Sequence, residues 1–248
     1  MTPASTLLRF FRENPQLESH FTLLLEDNVV GANDPTGLVS LARTRKLANA
    51  RNKVVQYVEN QRDTMFREYD YLVMADMDGV CGGSDSSLSF DPDIFKYALL
   101  DLKEQWDVIT FRFEPYYDLW AFRHKEYQPE NYFYGKSAKK LTSETFATKV
   151  FQNVSWPDGL VEVDSSFGMF AIYRMELLNG TAKYSGSEKG RPRNGDRSTQ
   201  DTPDCEHVAF HRDLRERMNA RHVLSPLIYC VGDPGYKPLP KTITSSWN

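Results

Sequence analysis

The sequence predicts an α/β domain built on a mixed, mostly parallel sheet flanked by helices, and three observations carry that prediction. Apolar runs of strand character alternate with stretches of helical periodicity along most of the chain. The run Tyr-Leu-Val-Met-Ala that precedes Asp76 is continuously apolar, as a strand covered on both faces requires. At 248 residues the chain is long enough to bury one sizeable core.

The elements follow in order. A helix is expected over residues 3–14 and a short strand over 21–26, ending in Asp27-Asn28 and a loop rich in Gly, Asn, Asp and Pro up to Gly37. Residues 38–66 place Leu41, Leu47, Ala50, Val54, Val55 and Val58 at spacings that suit one helix face. A strand over 69–75 leads into a polar loop, 79–89. Asp91-Pro92 then starts a helix to about residue 105, with an N-cap acid followed by proline in the first turn. A strand is expected over 106–113, a loop and then a helix within 127–149, and a strand pair within 161–173 around residues 165–168. Residues 181–204 are polar and rich in Gly, Ser and charge, the composition of a lid or binding loop. A helix over 206–220, a strand over 223–230 and a tail complete the chain. The expectation is a single domain with a donor-side half to about residue 110, an acceptor-side half to about 232, and a tail over 233–248. Because such domains usually start on a strand, the leading helix suggests a chain trimmed at its N terminus or lacking a first strand.

Composition narrows the function classes. Apolar residues make up 40% and charged residues 26%, with a formal charge of -4. That balance excludes a general nucleic-acid binder, which shows a clear basic excess. Basic residues do cluster at 43–53 and 189–197, enough for a phosphate-bearing small molecule. No apolar run approaches the roughly 20 residues that span a bilayer, and residues 1–11 lack the apolar stretch of a signal peptide. The sequence as given reads as soluble, with no membrane span. Cys81, Cys205 and Cys230 are too few for a disulfide framework or a zinc site, and isolated buried thiols are expected, with one disulfide as the alternative.

The strongest chemical signal is Asp76-Met-Asp78-Gly79 directly after the apolar strand. In α/β sheets ligands bind beyond the strands' C-terminal ends. Two carboxylates there supply hard oxygen ligands for Mg2+ or Mn2+, which bridge to phosphate oxygens and neutralise charge on a departing diphosphate. Two enzyme classes use this pattern: metal-dependent glycosyl transfer, and phosphoryl transfer of the haloacid-dehalogenase type with Asp76 as nucleophile. The second fits Asp76-Met-Asp78-Gly79-Val80 and a late Gly232-Asp233. It is weakened by the 70 residues that precede the strand and by the absence of a further acid after Asp233. A third alternative is a degenerate carbohydrate-binding module.

Several further strings join the Asp pair in order. They are Glu26-Asp27-Asn28, the basic string 43–52 ending Leu-Ala-Asn-Ala-Arg51-Asn52, Tyr116-Tyr117-Asp118-Leu-Trp120-Ala-Phe-Arg123, Ser165-Ser166-Phe167-Gly168, and Cys205-Glu206-His207. Together, over about residues 21–230, they resemble the GT-A-fold glycosyltransferases, in particular the cryptococcal-type capsule mannosyltransferases and related fungal, protist and viral enzymes. The resemblance implies a GT-A-like (Rossmann-like) fold, a nucleotide-diphosphate sugar as donor, a glycan or other hydroxyl acceptor, and Mn2+ or Mg2+ as cofactor. It implies that Arg43, Arg51 and Asn52 join Asp76 and Asp78 at the donor, and that Asp118 grips a sugar among aromatic side chains. It also implies that Glu206 stands where inverting members carry the base toward the acceptor hydroxyl, a role that retention would not need, and that His207, in competition with His211 and His222, is a late metal ligand. In this family a second glycine usually follows Gly168, where this chain has Met169. Eukaryotic relatives often lie in the Golgi behind a membrane anchor. Each role has a plain rival: a solvated basic helix face for the arginines, an aromatic loop around Asp118, helix-start acidity for Glu206, and structural histidines.

Overall fold

The computed structural model describes residues 12–15, 40–76, 81, 88–116, 118–133, 141–188, 201–233 and 235–240. The chain divides into two compact units, Met1–Asn33 and Asp34–Asn248. In the first, Arg12 and Glu13 are helical, as expected for residues 3–14. The strand expected over 21–26, its Glu26-Asp27-Asn28 end, and Asp78 all lie outside the described residues.

In the second unit, the Ser40 hydroxyl accepts from the Arg43 amide at 3.1 Å and caps α1, Leu41–Asn60. This helix buries Thr44, Ala48, Val55 and Val58, a narrower face than the apolar pattern suggested. Strand β1, Tyr71–Ala75, and the short β2, Ser89–Phe90, come next. The Asp91 carboxylate caps α2, Pro92–Leu100, by accepting from the Asp93 amide. That helix ends short of residue 105, where the chain tightens into a 3-10 turn at Lys103–Gln105. After β3, Val108–Arg112, a Thr142/Thr145 capping box starts α3, Ser143–Val150. Strands β4, Val161–Glu162, β5, Phe170–Arg174, β6, Ser187–Glu188, and β7, Thr202–Pro203, lead to α4, Glu206–Met218. Asn219 ends α4 in the left-handed region at φ 54°, and β8, His222–Ile228, and β9, Cys230–Val231, follow.

The main sheet has the order β1-β5-β3-β8-β4. The expectation of a mostly parallel sheet is corrected here: three of its four neighbouring pairs are antiparallel and only β3–β8 is parallel. Strands β1, β3 and β8 do run the same way, but β5 is inserted in reverse between β1 and β3, and β4 runs in reverse outside β8. An apolar strand reads the same in either direction, so pattern alone does not give its sense. Strands β4 and β5, expected as a pair, both join the sheet but pair with other strands.

Side chains alternate across the sheet. Ala171 and Tyr173 join the core beneath α1 and α4, with Ala48, Val55, Phe210 and Leu214. Phe170 and Ile172 face the other way, toward Ile94, Phe95 and Ala98 of α2. The expectation of isolated thiols also fails for two cysteines: Cys81 and Cys230 form a disulfide with Cα atoms 5.2 Å apart, and Cys205 stays free and buried. A spacing of 149 residues gave the sequence no means of pairing them. No helix among the described residues is long and apolar enough to cross a membrane.

Candidate active site

Three residues past the buried Ala48 and four before the buried Val55, Arg51 projects from the middle of α1 toward the end of β1. Its Nη2 donates to Asp76 Oδ1 at 2.7 Å and its Nε donates to Glu206 Oε1 at 2.9 Å. One guanidinium therefore joins the C-terminal end of β1 to the first turn of α4, in the forked geometry that suits carboxylates. The guanidinium also lies over the Phe167 ring, 5.1 Å from its centroid. Burial works against its charge, yet Glu206 and then Asp76 hold its pKa above the ordinary value.

The loop around residues 165–169 fixes the backbone of Asp76. The Asp76 amide donates to the Met169 carbonyl at 3.0 Å, and the Tyr229 hydroxyl donates to the Gly168 carbonyl at 3.0 Å. Gly168 has φ 58°, and a Cβ there would sit 2.9 Å from the Phe111 carbonyl oxygen, so glycine is required. Met169 follows at φ 70°, a left-handed conformation in a residue with a side chain. The resemblance places a glycine at that position, and the backbone here has the shape that glycine favours.

Glu206 begins α4, where the helix N-terminus favours a carboxylate, and it is only 4% exposed. The segment before it is held by a second buried ion pair. Arg123 donates to Asp204 at 2.6 Å and to the carbonyls of Trp120 and Phe122, while Asn131 and the Cys205 amide also donate to Asp204 Oδ1. Arg123, read in the sequence beside a sugar-gripping acid, is thus a brace between residues 118–124 and the start of α4.

Asp118 lies on that braced segment. Its Oδ1 accepts from the Ala121 amide at 3.2 Å, and no cation pairs with it among the described residues. Burial, then the negative charges of Glu206 and Asp76, push its carboxyl up to about 7, against the pull of the Ala121 amide and Arg51. Asp118, Asp76, Glu206 and Arg51 thus form one electrostatically coupled cluster.

Of the remaining expected residues, Asn52 and Arg43 fall elsewhere and His207 lies against Glu206. Asn52 donates to the Tyr184 carbonyl at 2.9 Å and accepts from the Tyr184 amide at 2.8 Å, so both halves of its amide hold the start of the polar insert. Arg43 lies two helical turns before Arg51, about 12 Å along α1, and is not joined to the cluster by any ion pair to Asp76 or Glu206. His207 is buried, stacked on Phe167 at 3.6 Å, with Nε2 3.8 Å from Glu206 Oε1 and no hydrogen-bond partner for either ring nitrogen among the described residues. Burial, then the Arg51 charge, pushes its pKa well down, leaving a neutral imidazole.

A divalent cation fits this site in part. Mg2+ or Mn2+ needs only one or two protein carboxylates when phosphate and water complete its shell. Asp76 Oδ2 has no partner among the described residues, and an orphaned neutral imidazole belongs to the cluster. No group of three or more His, Cys, Asp or Glu among the described residues is arranged to hold a metal by itself. Two surface cavities, of about 350 and 530 Å3, are lined by other residues, such as His124 and Asp164 in one and Arg67 and Lys103 in the other. Sequence reasoning missed Tyr184 and the Cys81–Cys230 tether, neither of which carries a local motif. Comparison of the chain with family models, with curated proteins and with solved structures finds no match.

Proposed function

We propose that this chain is a metal-dependent glycosyltransferase of GT-A type, which moves a sugar from a nucleotide-diphosphate sugar to an acceptor hydroxyl. One observation carries the reading: Asp76, at the C-terminal end of β1, shares Arg51 with Glu206, beside the partly exposed Asp118. The co-directional ends of β1, β3 and β8 support a ligand edge at this place in the sheet. Asp76 and Asp78 would hold Mn2+ or Mg2+, with His207 as the third candidate ligand. The metal would supply positive charge against the departing diphosphate. Arg51 would add a fixed cation that keeps Asp76 oriented.

Calorimetric titration with UDP and then GDP, each with and without Mn2+, tests this reading. Binding should require the metal and be lost in Asp76→Asn and Asp78→Ala. Absence of nucleotide binding under every condition would overturn it. A beryllium fluoride adduct on Asp76 would instead assign phosphoryl transfer, and metal-independent sugar binding unchanged in both variants would assign a binding module.

A further inference from the structure

Resting on the glycosyl-transfer reading, we propose that Asp118 takes the proton of the acceptor hydroxyl and that Glu206 is the fixed counter-ion of Arg51. A general base must offer a lone pair to the incoming hydroxyl at hydrogen-bond distance. Glu206 is poorly placed for this. It is 4% exposed, Oε1 already accepts from Arg51 Nε, and the Cys205 thiol lies 3.9 Å from Oε2. Protonating it would leave the buried Arg51 without one of its two anions.

Asp118 has the complementary geometry. It is partly exposed, its Oδ1 is fixed by the Ala121 amide, and Oδ2 has no partner among the described residues. Among the described residues the groups that face it are Glu206 and Cys205 at the start of α4, Asp76 just after β1 and Arg51 from α1. Burial and then the charge of Glu206 favour proton uptake on Asp118. Two residues on, the Trp120 indole N–H has no partner among the described residues, and its ring meets the 48%-exposed Phe133 edge-on at 5.5 Å. The exposed Phe133 ring offers a surface on which the CH groups of a sugar can stack.

The acceptor O–H bond breaks and its proton passes to Asp118 Oδ2, while the acceptor oxygen bonds the anomeric carbon. The bond from that carbon to the diphosphate oxygen breaks, and its electron pair leaves with the nucleotide diphosphate. Solvent then takes the proton from Asp118.

Nucleotide release from UDP- and GDP-sugars, with Mn2+ and a simple hexoside acceptor, is to be followed against pH in the wild type, Asp118→Asn, Asp118→Glu and Glu206→Gln. Nucleotide affinity of each is measured separately by calorimetry. Asp118→Asn should keep nucleotide affinity within about threefold but lower kcat by about 100-fold or more, and should lose the acid limb of the rate profile. Asp118→Glu should restore part of the rate and the limb, and Glu206→Gln should keep the limb, moved to lower pH by the loss of a negative neighbour, at whatever rate it retains. Retention of kcat and limb by Asp118→Asn, or loss of the limb in Glu206→Gln alone, would overturn the assignment and leave the glycosyl-transfer reading standing. A wild type with neither metal-dependent nucleotide binding nor nucleotide release would overturn both.

Discussion

Arg51 makes two ion pairs from one largely buried side chain, and the cluster's geometry depends on it. Removing it would leave Glu206, at 6% side-chain exposure, and the more open Asp76 facing each other and Asp118 with no cation between them. Breaking a buried pair from one side typically costs about 3–5 kcal/mol, because the orphaned charge stays buried. Arg51→Met should therefore lower the unfolding free energy from urea titration by that order. Arg51→Met/Glu206→Gln should regain a good part of it, since the second change removes the more buried orphan. A double variant no more stable than the single one would show that the two pairs do not share this role. The sequence made Asp76 legible because an apolar strand stops at it, and Arg51 because it stands in a distinctive string on a helix. It did not show that Arg51 meets an acid 155 positions later, or that Arg123 meets Asp204. Asn52 misled for the same reason: its amide suits a nucleotide as well as a peptide, and only the fold decides between them.

At the scale of elements, helices were read well because their caps are local, as Asp91 with Pro92 illustrates, whereas the sense of β5 and the Cys81–Cys230 link depend on distant chain. The polar insert 181–204 is the most informative element. Both its described ends are fastened: Asn52 clamps Tyr184, Thr44 donates its hydroxyl to the Gly186 carbonyl at 2.6 Å, and Arg45 pairs with Asp201. A Cβ on Gly186 would collide with the backbone of Thr44 and Arg45, which no side-chain rotation relieves. Gly186→Ala should push this segment off α1 and speed amide exchange over residues 181–188, while exchange in β3 and β8 stays slow. Unchanged exchange at 181–188 would mean that the contact is not what fastens the insert. The disulfide does a similar job on the other side of Asp76, since it pins the chain five residues on to β9. Cys81→Ser/Cys230→Ser opens a loop of 149 residues, for which chain entropy assigns about 4–5 kcal/mol. Its melting temperature should fall accordingly, and a reductant should then have no further effect on it.

The molecule as a whole carries a buried line of histidines, and this sets how its stability depends on pH. The rings of His207 and His211 lie 5.6 Å apart, and those of His211 and His222 4.3 Å apart. The His211 nitrogens face the Ser165 and Tyr173 hydroxyls, and His222 Nε2 faces Ser166. Burial, then neighbouring arginine charge, pushes His211 down to about 3, and His207 and His222 are also held well below the ordinary value. His124 shifts the same way through burial. Above pH 6.5 these histidines are neutral folded or unfolded and contribute no pH dependence. Below it the unfolded chain takes up protons that the folded chain binds only at lower pH, so stability falls as the pH falls. Three acids act in the opposite sense. Burial raises Asp118 to about 7, Asp204 to about 6, and Asp233 as well, so the folded chain binds protons there before the unfolded chain does. The acids offset part of the histidines' uptake, and each proton that the unfolded chain binds in excess removes about 1.4 kcal/mol of stability per pH unit. Urea midpoints at about pH 7, 5.5 and 4.5 should therefore descend, and His222→Gln should flatten the descent by up to one proton. Stability that rose on acidification, or an unchanged slope in His222→Gln, would mean that the buried histidines are not what the acid titrates.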